Sequence, residues 1–315
     1  MRVVFMGTPQ LAATVLEILA AHHQVVAAYT RPDAVRGRGS ALSASPVKET
    51  AERLGIPVET PRTLRDADAI AHLEAYKPDV VCVAAYGMIL PDEVIDAAPF
   101  GCLNVHGSLL PRWRGAAPIE RSILAGDART GVCIMRVVPE LDAGDWCVRR
   151  TTAVAGKSTD ELTAELAQLG GDALCEALDQ AQAGTLSWTP QDAAGCTYAK
   201  KITKGELDLA PEDNIETAQR KVLASDEQHP SHAVIAERAV SVLETKLPDE
   251  RAWELAGDCL PGDVRLSAKR LFIGCGDGPL EVVRVKPNGK KAMDVAAFAA
   301  GIQGIKKNTK KWGSR

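Results

Sequence analysis

What the chain lacks narrows its class before any motif is read. None of its eight cysteines (Cys82, Cys102, Cys133, Cys147, Cys175, Cys196, Cys259 and Cys275) forms a C-x-x-C pair. Metal-site spacing is therefore absent, and no metal is expected. Most of these cysteines stand in apolar runs, where a reduced thiol packs as a small hydrophobe. The apolar runs are short and interrupted, whereas a membrane helix needs about 20 apolar residues. The opening "MRVVFMGTPQ" turns after one strand and does not read as a leader, so the expected compartment is the cytoplasm. Net charge is −4, so the chain as a whole has no nucleic-acid signature. There is no internal repeat or low-complexity segment. The first turn, "GTP", lacks the second glycine of G-x-G-x-x-G that lets a backbone approach a pyrophosphate. This argues against a nicotinamide oxidoreductase.

What is present reads as two domains, the prior for 315 residues at roughly 100 to 200 residues each. "RVVFM" (2–6) is an apolar run of the kind buried on both faces of a parallel sheet. Pro9 then opens the helical period "QLAATVLEILAA". "QVVAAYT", "PDVVCVAAYG", "GCLNVH" and "TGVCIMRVV" are further strands. Between them lies "SPVKETAERLG", with Ser45 as N-cap, Pro46 at the first helical position and Gly55 as the stop. Alternating strands and helices predict an α/β doubly wound, mostly parallel sheet over residues 1–185. Ligands of such sheets sit beyond the carboxyl ends of strands.

The segment 186–204 is polar, without period, and reads as a linker. Residues 205–315 change texture: "HAVIAERAVSVLETKL", "DVRLSAKRLFIGCG" and "PLEVVRVKP" are short strands between turns, followed by one helix, "MDVAAFAAG". That predicts a small antiparallel β-barrel of OB-like type. Charge is divided inside it. Residues 206–261 hold 5 Lys/Arg against 13 Asp/Glu, net −8, and residues 262–315 hold 12 against 4, net +8. The basic half reads either as a polyanion-binding face or as a solvated face with a frayed tail.

The chemistry concentrates in "NVHGSLLPRWRGAAP" (104–118). Asn104 and His106 are two apart on a strand and share a face. An amide and an imidazole there can donate to a developing oxyanion or handle protons near pH 7. The bland alternative is a satisfied polar pair closing a buried strand. In "VVPELDAGDW" (137–146), Asp142 and Asp145 fit either a plain turn or a carboxylate that orients His106. The polar loop "RPDAVRGRGSALSASPVK" (31–48) carries Arg31, Arg36 and Arg38, either for gripping phosphates or as a solvated excursion.

These stretches, with "VVFMGTPQLAA", "LDAGD" and "CGDGPLEVVRVKPNGKKAMDVAAF", resemble the methionyl-tRNA formyltransferases along nearly the whole chain. The Asn-x-His string with a later Leu-Asp-x-Gly is shared with other formyl transferases that use 10-formyltetrahydrofolate. The resemblance implies a monomeric cytoplasmic enzyme that formylates the α-amine of initiator methionyl-tRNA. It implies Asn104, His106 and Asp142 as the catalytic trio, and Ser108, Leu109, Leu110 and Pro111 as the folate segment. It also implies Arg38, Lys200, Lys201 and Lys204 as tRNA contacts. The pattern departs at Gly107, where the family has Ala, and at "SDEQHPSHAV", where the family enters its barrel through a different string. A purine or sugar formyltransferase would share the trio without needing the basic tail. An RNA-binding module would leave the trio idle.

Overall fold

The structure is a computed structural model that describes residues 1–35 and 42–315. The chain divides into two compact units. One comprises Met1–Pro118, Arg129–Ala153 and Leu162–Lys200, and the other Ile119–Ala128, Val154–Glu161 and Lys201–Arg315.

The first unit is built on seven strands: β1 (Arg2–Gly7), β2 (Gln24–Tyr29), β3 (Val58–Glu59), β4 (Val80–Ala84), β5 (Cys102–His106), β6 (Arg129–Arg136) and β7 (Trp146–Ala153). Their order is β7-β6-β5-β4-β1-β2-β3. The five strands from β5 to β3 run parallel. β6 lies antiparallel to β5, and β7 antiparallel to β6. The sheet is thus mostly parallel, as the alternating pattern predicts, with an antiparallel edge at β6 and β7 that the pattern does not mark. An apolar strand buried on both faces carries no signal of its direction.

Helix α1 (Gln10–His22) follows β1, with Pro9 in the cap position rather than the first turn. In α2 (Pro46–Arg53) the Ser45 hydroxyl accepts from the Lys48 amide at 3.0 Å. One sheet face packs Val4, Met6, Val81, Val83 and Tyr29 into a core with Leu73 and Val94. The long helix α3 (Thr159–Gln182) lies against the other face. A Cβ on Gly170 would run into Val105 of β5, and one on Gly171 into Ile18 of α1. Bare backbone at this pair is what permits the close approach.

The second unit is an antiparallel sheet in the order β10-β11-β12-β9-β8-β13. These strands are β8 (His232–Ile235), β9 (Arg238–Lys246), β10 (Val264–Ser267), β11 (Arg270–Cys275), β12 (Gly278–Pro287) and β13 (Trp312–Gly313). The two ends of the sheet meet: the Val264 amide donates to Lys310 O at 3.0 Å and the Trp312 amide to Gly262 O at 2.9 Å. The result is a nearly closed barrel around Val240, Val242, Leu271, Ile273, Val282 and Phe298. The divergent entry "SDEQHPSHAV" forms a turn at Asp226, whose carboxylate accepts from the Gln228 amide at 2.7 Å, and then β8. The basic tail is not frayed. Trp312 is buried, and its indole N–H donates to Gly274 O at 2.8 Å.

Candidate active site

β5 runs beside β4 and ends at His106. Its alternation turns Val105 toward α3 and presents Asn104 and His106 on the opposite face. His106 is buried, and its Nε2 lies 2.9 Å from the carbonyl of Trp113. A carbonyl only accepts, so Nε2 carries the hydrogen and Nδ1 is the free position of the neutral ring. Nδ1 faces Asp142 Oδ2 at 3.7 Å. Asn104 is half-buried, and among the described residues its side-chain amide has no hydrogen-bond partner. The Asn104 amide is thus an open donor, while the His106 ring is held at Nε2 by Trp113 and faces Asp142 with Nδ1.

Asp142 reaches His106 by an unexpected route. Because β6 is antiparallel, its carboxyl end lies at the amino end of β5, where the Val137 amide donates to Cys102 O at 2.8 Å. The loop 137–145 then doubles back along β5, a span of about 13 Å at strand rise. Two features permit the return. Asp142 adopts left-handed backbone, φ 48°, and Gly144 presses so closely on the Arg136 carbonyl that a side chain would not fit. Asp142 Oδ2 also accepts from the Gly115 amide at 2.7 Å. Asp145 contributes its backbone carbonyl, which accepts from the Arg136 amide at 2.9 Å.

The segment after His106 is held from several sides. Ser108 is fully buried and donates to Arg112 O at 2.6 Å. Leu110 is buried against Cys133 and Met135, and its carbonyl accepts from Arg149 at 2.7 Å. Arg149 in turn stacks on Trp146, 4.1 Å from the ring centre. Of the four residues Ser108, Leu109, Leu110 and Pro111, only Leu109 and Pro111 offer surface to a ligand. Arg114 and Gly115 pair in parallel with Tyr198 and Ala199, and the Trp113 amide donates to Thr197 Oγ1 at 2.9 Å.

Sequence reasoning missed the residues that position this site. The carbonyl of Trp113 and the amide of Gly115 are backbone groups. Gln191, Thr197 and Arg149 stand alone in stretches of no usable period. Gln191 donates to Asp142 O at 2.8 Å and to Gly144 O at 2.7 Å. Of the expected tRNA contacts, Lys200, Lys201 and Lys204 are all exposed. Arg38, like Arg36, lies outside the described residues. The base of that loop is a short hairpin pairing Ala34–Val35 with Leu42–Ser43, and Arg31 donates to Gly87 O at 2.7 Å.

An open cleft of about 560 Å³, lined by Thr8, Pro9, Arg31, Ala85 and Tyr86 among others, lies past the carboxyl ends of β1, β2 and β4. β1 and β4 flank the point where the strand order reverses, the usual ligand position of an open α/β sheet. Seven of the eight cysteines are held as unreactive thiols by burial. Burial raises the thiols of Cys147, Cys175 and Cys259 to about 11 and that of Cys275 to about 12, and pushes Cys82, Cys102 and Cys133 up as well.

Comparison with known proteins agrees with this architecture. Residues 1–178 match the formyl transferase family, and residues 201–303 match the formyl transferase C-terminal domain. A methionyl-tRNA formyltransferase of Methylobacterium sp. (strain 4-46) is 43% identical over 306 residues, 96% of each chain. One from Chromohalobacter salexigens is 44% identical, covering 92% of this chain and 90% of its own. Among solved structures, HypX from Aquifex aeolicus in complex with tetrahydrofolic acid has a TM-score of 0.65 at 20% identity. That alignment covers 97% of this chain and 48% of HypX, so the present chain spans about half of that protein. With nearly full-length relatives at this identity and both domain models matched, the chain belongs to the formyl transferase family, alongside the methionyl-tRNA formyltransferases.

Proposed function

We propose that this protein transfers the formyl group of 10-formyltetrahydrofolate to the α-amino group of initiator methionyl-tRNA. The observation that carries the reading is the pairing of a partnerless Asn104 amide with His106, whose Nδ1 faces a carboxylate, at the end of a central strand. Nearly full-length relatives named for this activity support it.

The free-base amine attacks the formyl carbon, forming a carbon–nitrogen bond and a tetrahedral oxyanion. An α-amine with a pKa of about 7.7 to 8 supplies free base at neutral pH. The Asn104 amide donates to that oxyanion, and the adjoining His106 ring, set by Trp113 and Asp142, helps to stabilise it. Asp142 orients the His106 ring and assists the proton on its way from the attacking amine to the departing folate nitrogen, whose bond to the formyl carbon breaks. The half-exposed faces of Leu109 and Pro111 wall the folate, while buried Ser108 and Leu110 fix the segment that carries them.

Residues 1–185 form the catalytic domain and 205–315 the tRNA-holding barrel, joined through 186–204. Arg38, Lys200, Lys201 and Lys204 contact tRNA phosphates. The enzyme works as a cytoplasmic monomer. The deciding test is incubation with 10-formyltetrahydrofolate and charged initiator tRNA. Formyl-methionyl-tRNA is the expected product. Formylation of an amino sugar or a glycinamide nucleotide, with none of the tRNA, would overturn the reading.

A further inference from the structure

We infer that Gln191 is a positioning residue for the formyl transfer, acting through Asp142; the inference rests on the catalytic reading of Asp142 above. Its side chain makes three hydrogen bonds. One amide nitrogen donates to Asp142 O at 2.8 Å and Gly144 O at 2.7 Å, the carbonyls on either side of Ala143. Its oxygen accepts from Arg114 Nε at 3.0 Å. Arg114 is buried, pairs with Glu140 at 3.4 Å and belongs to the same segment as Gly115, whose amide holds the Asp142 carboxylate at 2.7 Å. Gln191 thus pinches the turn 142–144 and ties it to the segment carrying the second support of Asp142.

The turn needs such a clamp. Asp142 sits in left-handed backbone, which costs energy for a residue with a Cβ, and the loop around it has no regular pairing of its own. The gap from Asp142 Oδ2 to His106 Nδ1 is 3.7 Å, beyond a formed hydrogen bond, so a small slip of the turn decides whether the two engage. Released from the clamp, the chain around Asp142 relaxes toward ordinary backbone and the carboxylate drifts from the ring. Misplacement by about 1 Å can cost up to about 10²-fold in rate.

The test is a double-mutant cycle of Gln191→Met and Asp142→Asn, read by single-turnover formyl transfer with KM for both substrates. Gln191→Met keeps length and removes all three bonds. It should lower the rate about 10- to 10²-fold with KM changed less than about twofold, because the lost alignment belongs to the transition state. In the Asp142→Asn background the same substitution should cost less than about twofold, since the group it aligns is gone. Gln191→Glu retains the acceptor for Arg114 but not the two donors, and should lose as much rate as Gln191→Met. It serves in the cycle where the apolar variant folds poorly. An equal loss in both backgrounds, or a wild-type rate for Gln191→Met, overturns the inference while leaving Asp142 in place. A wild-type rate for Asp142→Asn alone removes the reading of Asp142 and this inference with it.

Discussion

At the scale of single residues, Asp142 separates chemistry from geometry. Asn tolerates the left-handed conformation as well as Asp does, and its amide oxygen can still accept from the Gly115 amide. Asp142→Asn therefore preserves the turn and removes only the charge facing His106 Nδ1. If that charge orients the ring, single-turnover formyl transfer should slow by about 10²–10⁴-fold, with both substrate affinities nearly unchanged. Asp145→Asn, in the same loop but contributing its backbone carbonyl to Arg136, should stay within about threefold. Equal losses in the two variants, with unchanged thermal melts, would return Asp142 to the role of a plain turn residue. Asn104 and His106 were legible because two polar residues at a spacing of two, closing an apolar run, must share a face. The partners that fix their geometry were not. The Trp113 carbonyl has no side-chain signature, and Thr197 reaches Trp113 from 84 residues downstream and Gln191 reaches Asp142 from 49, across a stretch with no periodic signal.

At the scale of elements, capping chemistry and the mostly parallel sheet were legible, and the antiparallel direction of β6 was not. Ser45, Pro46 and Gly55 delimit α2 by hydrogen bonding and backbone freedom that sequence states outright. β6 is as apolar as its parallel neighbours, and the helix Pro118–Ala125 that precedes it looks like an ordinary crossover. Residues Ile119–Ala128 instead group with the second unit, and β6 returns antiparallel. The turn at 203–206 hides a similar surprise inside a basic linker. Glu206 accepts from the Thr203 amide at 2.9 Å and from its hydroxyl at 3.0 Å, and pairs with Arg121. Arg121 first, then the Thr203 bonds, pull the Glu206 carboxyl down to about 2, against partial burial that pushes it up. A depressed folded value stabilises above the unfolded value near 4.5, and the contribution fades as pH falls from there toward 2. Glu206→Gln should therefore cost about 1–3 kcal/mol at pH 6, and the gap from wild type should shrink by half or more at pH 3. Urea midpoints at the two pH values measure it; a gap independent of pH would mean that the ion pair contributes nothing.

At the scale of the whole molecule, the net charge of −4 conceals a basic face that belongs to the last strand-rich stretch, and the question is which charges remain available to a polyanion. The barrel itself was legible from its short strands and turns. Its closure rests on pairings of one or two residues around Val264 and Trp312, too short to leave a pattern. That closure turns a tail that reads as solvated into a structured edge, and it sorts the lysines into two kinds. Lys310 pairs with Glu237 at 3.2 Å and Lys311 with Asp263 at 2.6 Å, and the Asp263 carboxyl is held below its usual range chiefly by Lys311. Lys306 and Lys307 are exposed, and among the described residues neither has an ion-pair partner. A lysine already paired inside the protein gives up that pair to reach a phosphate, whereas a free one only releases counterions from the nucleic acid. Binding of methionyl-tRNA should accordingly weaken steeply with salt. If the tail edge meets tRNA, replacing Lys306 and Lys307 together by Gln should flatten the plot of log K against log salt by up to about 2, roughly one for each phosphate no longer neutralised, and leave the melting temperature unchanged. Replacing Lys310 and Lys311 should lower the melting temperature and change the slope less. Titrations of labelled tRNA from about 50 to 200 mM salt decide it. A wild-type slope for the Lys306/Lys307 variant would place the tRNA elsewhere on the chain, and a slope near zero for the wild type would remove the electrostatic account of binding altogether.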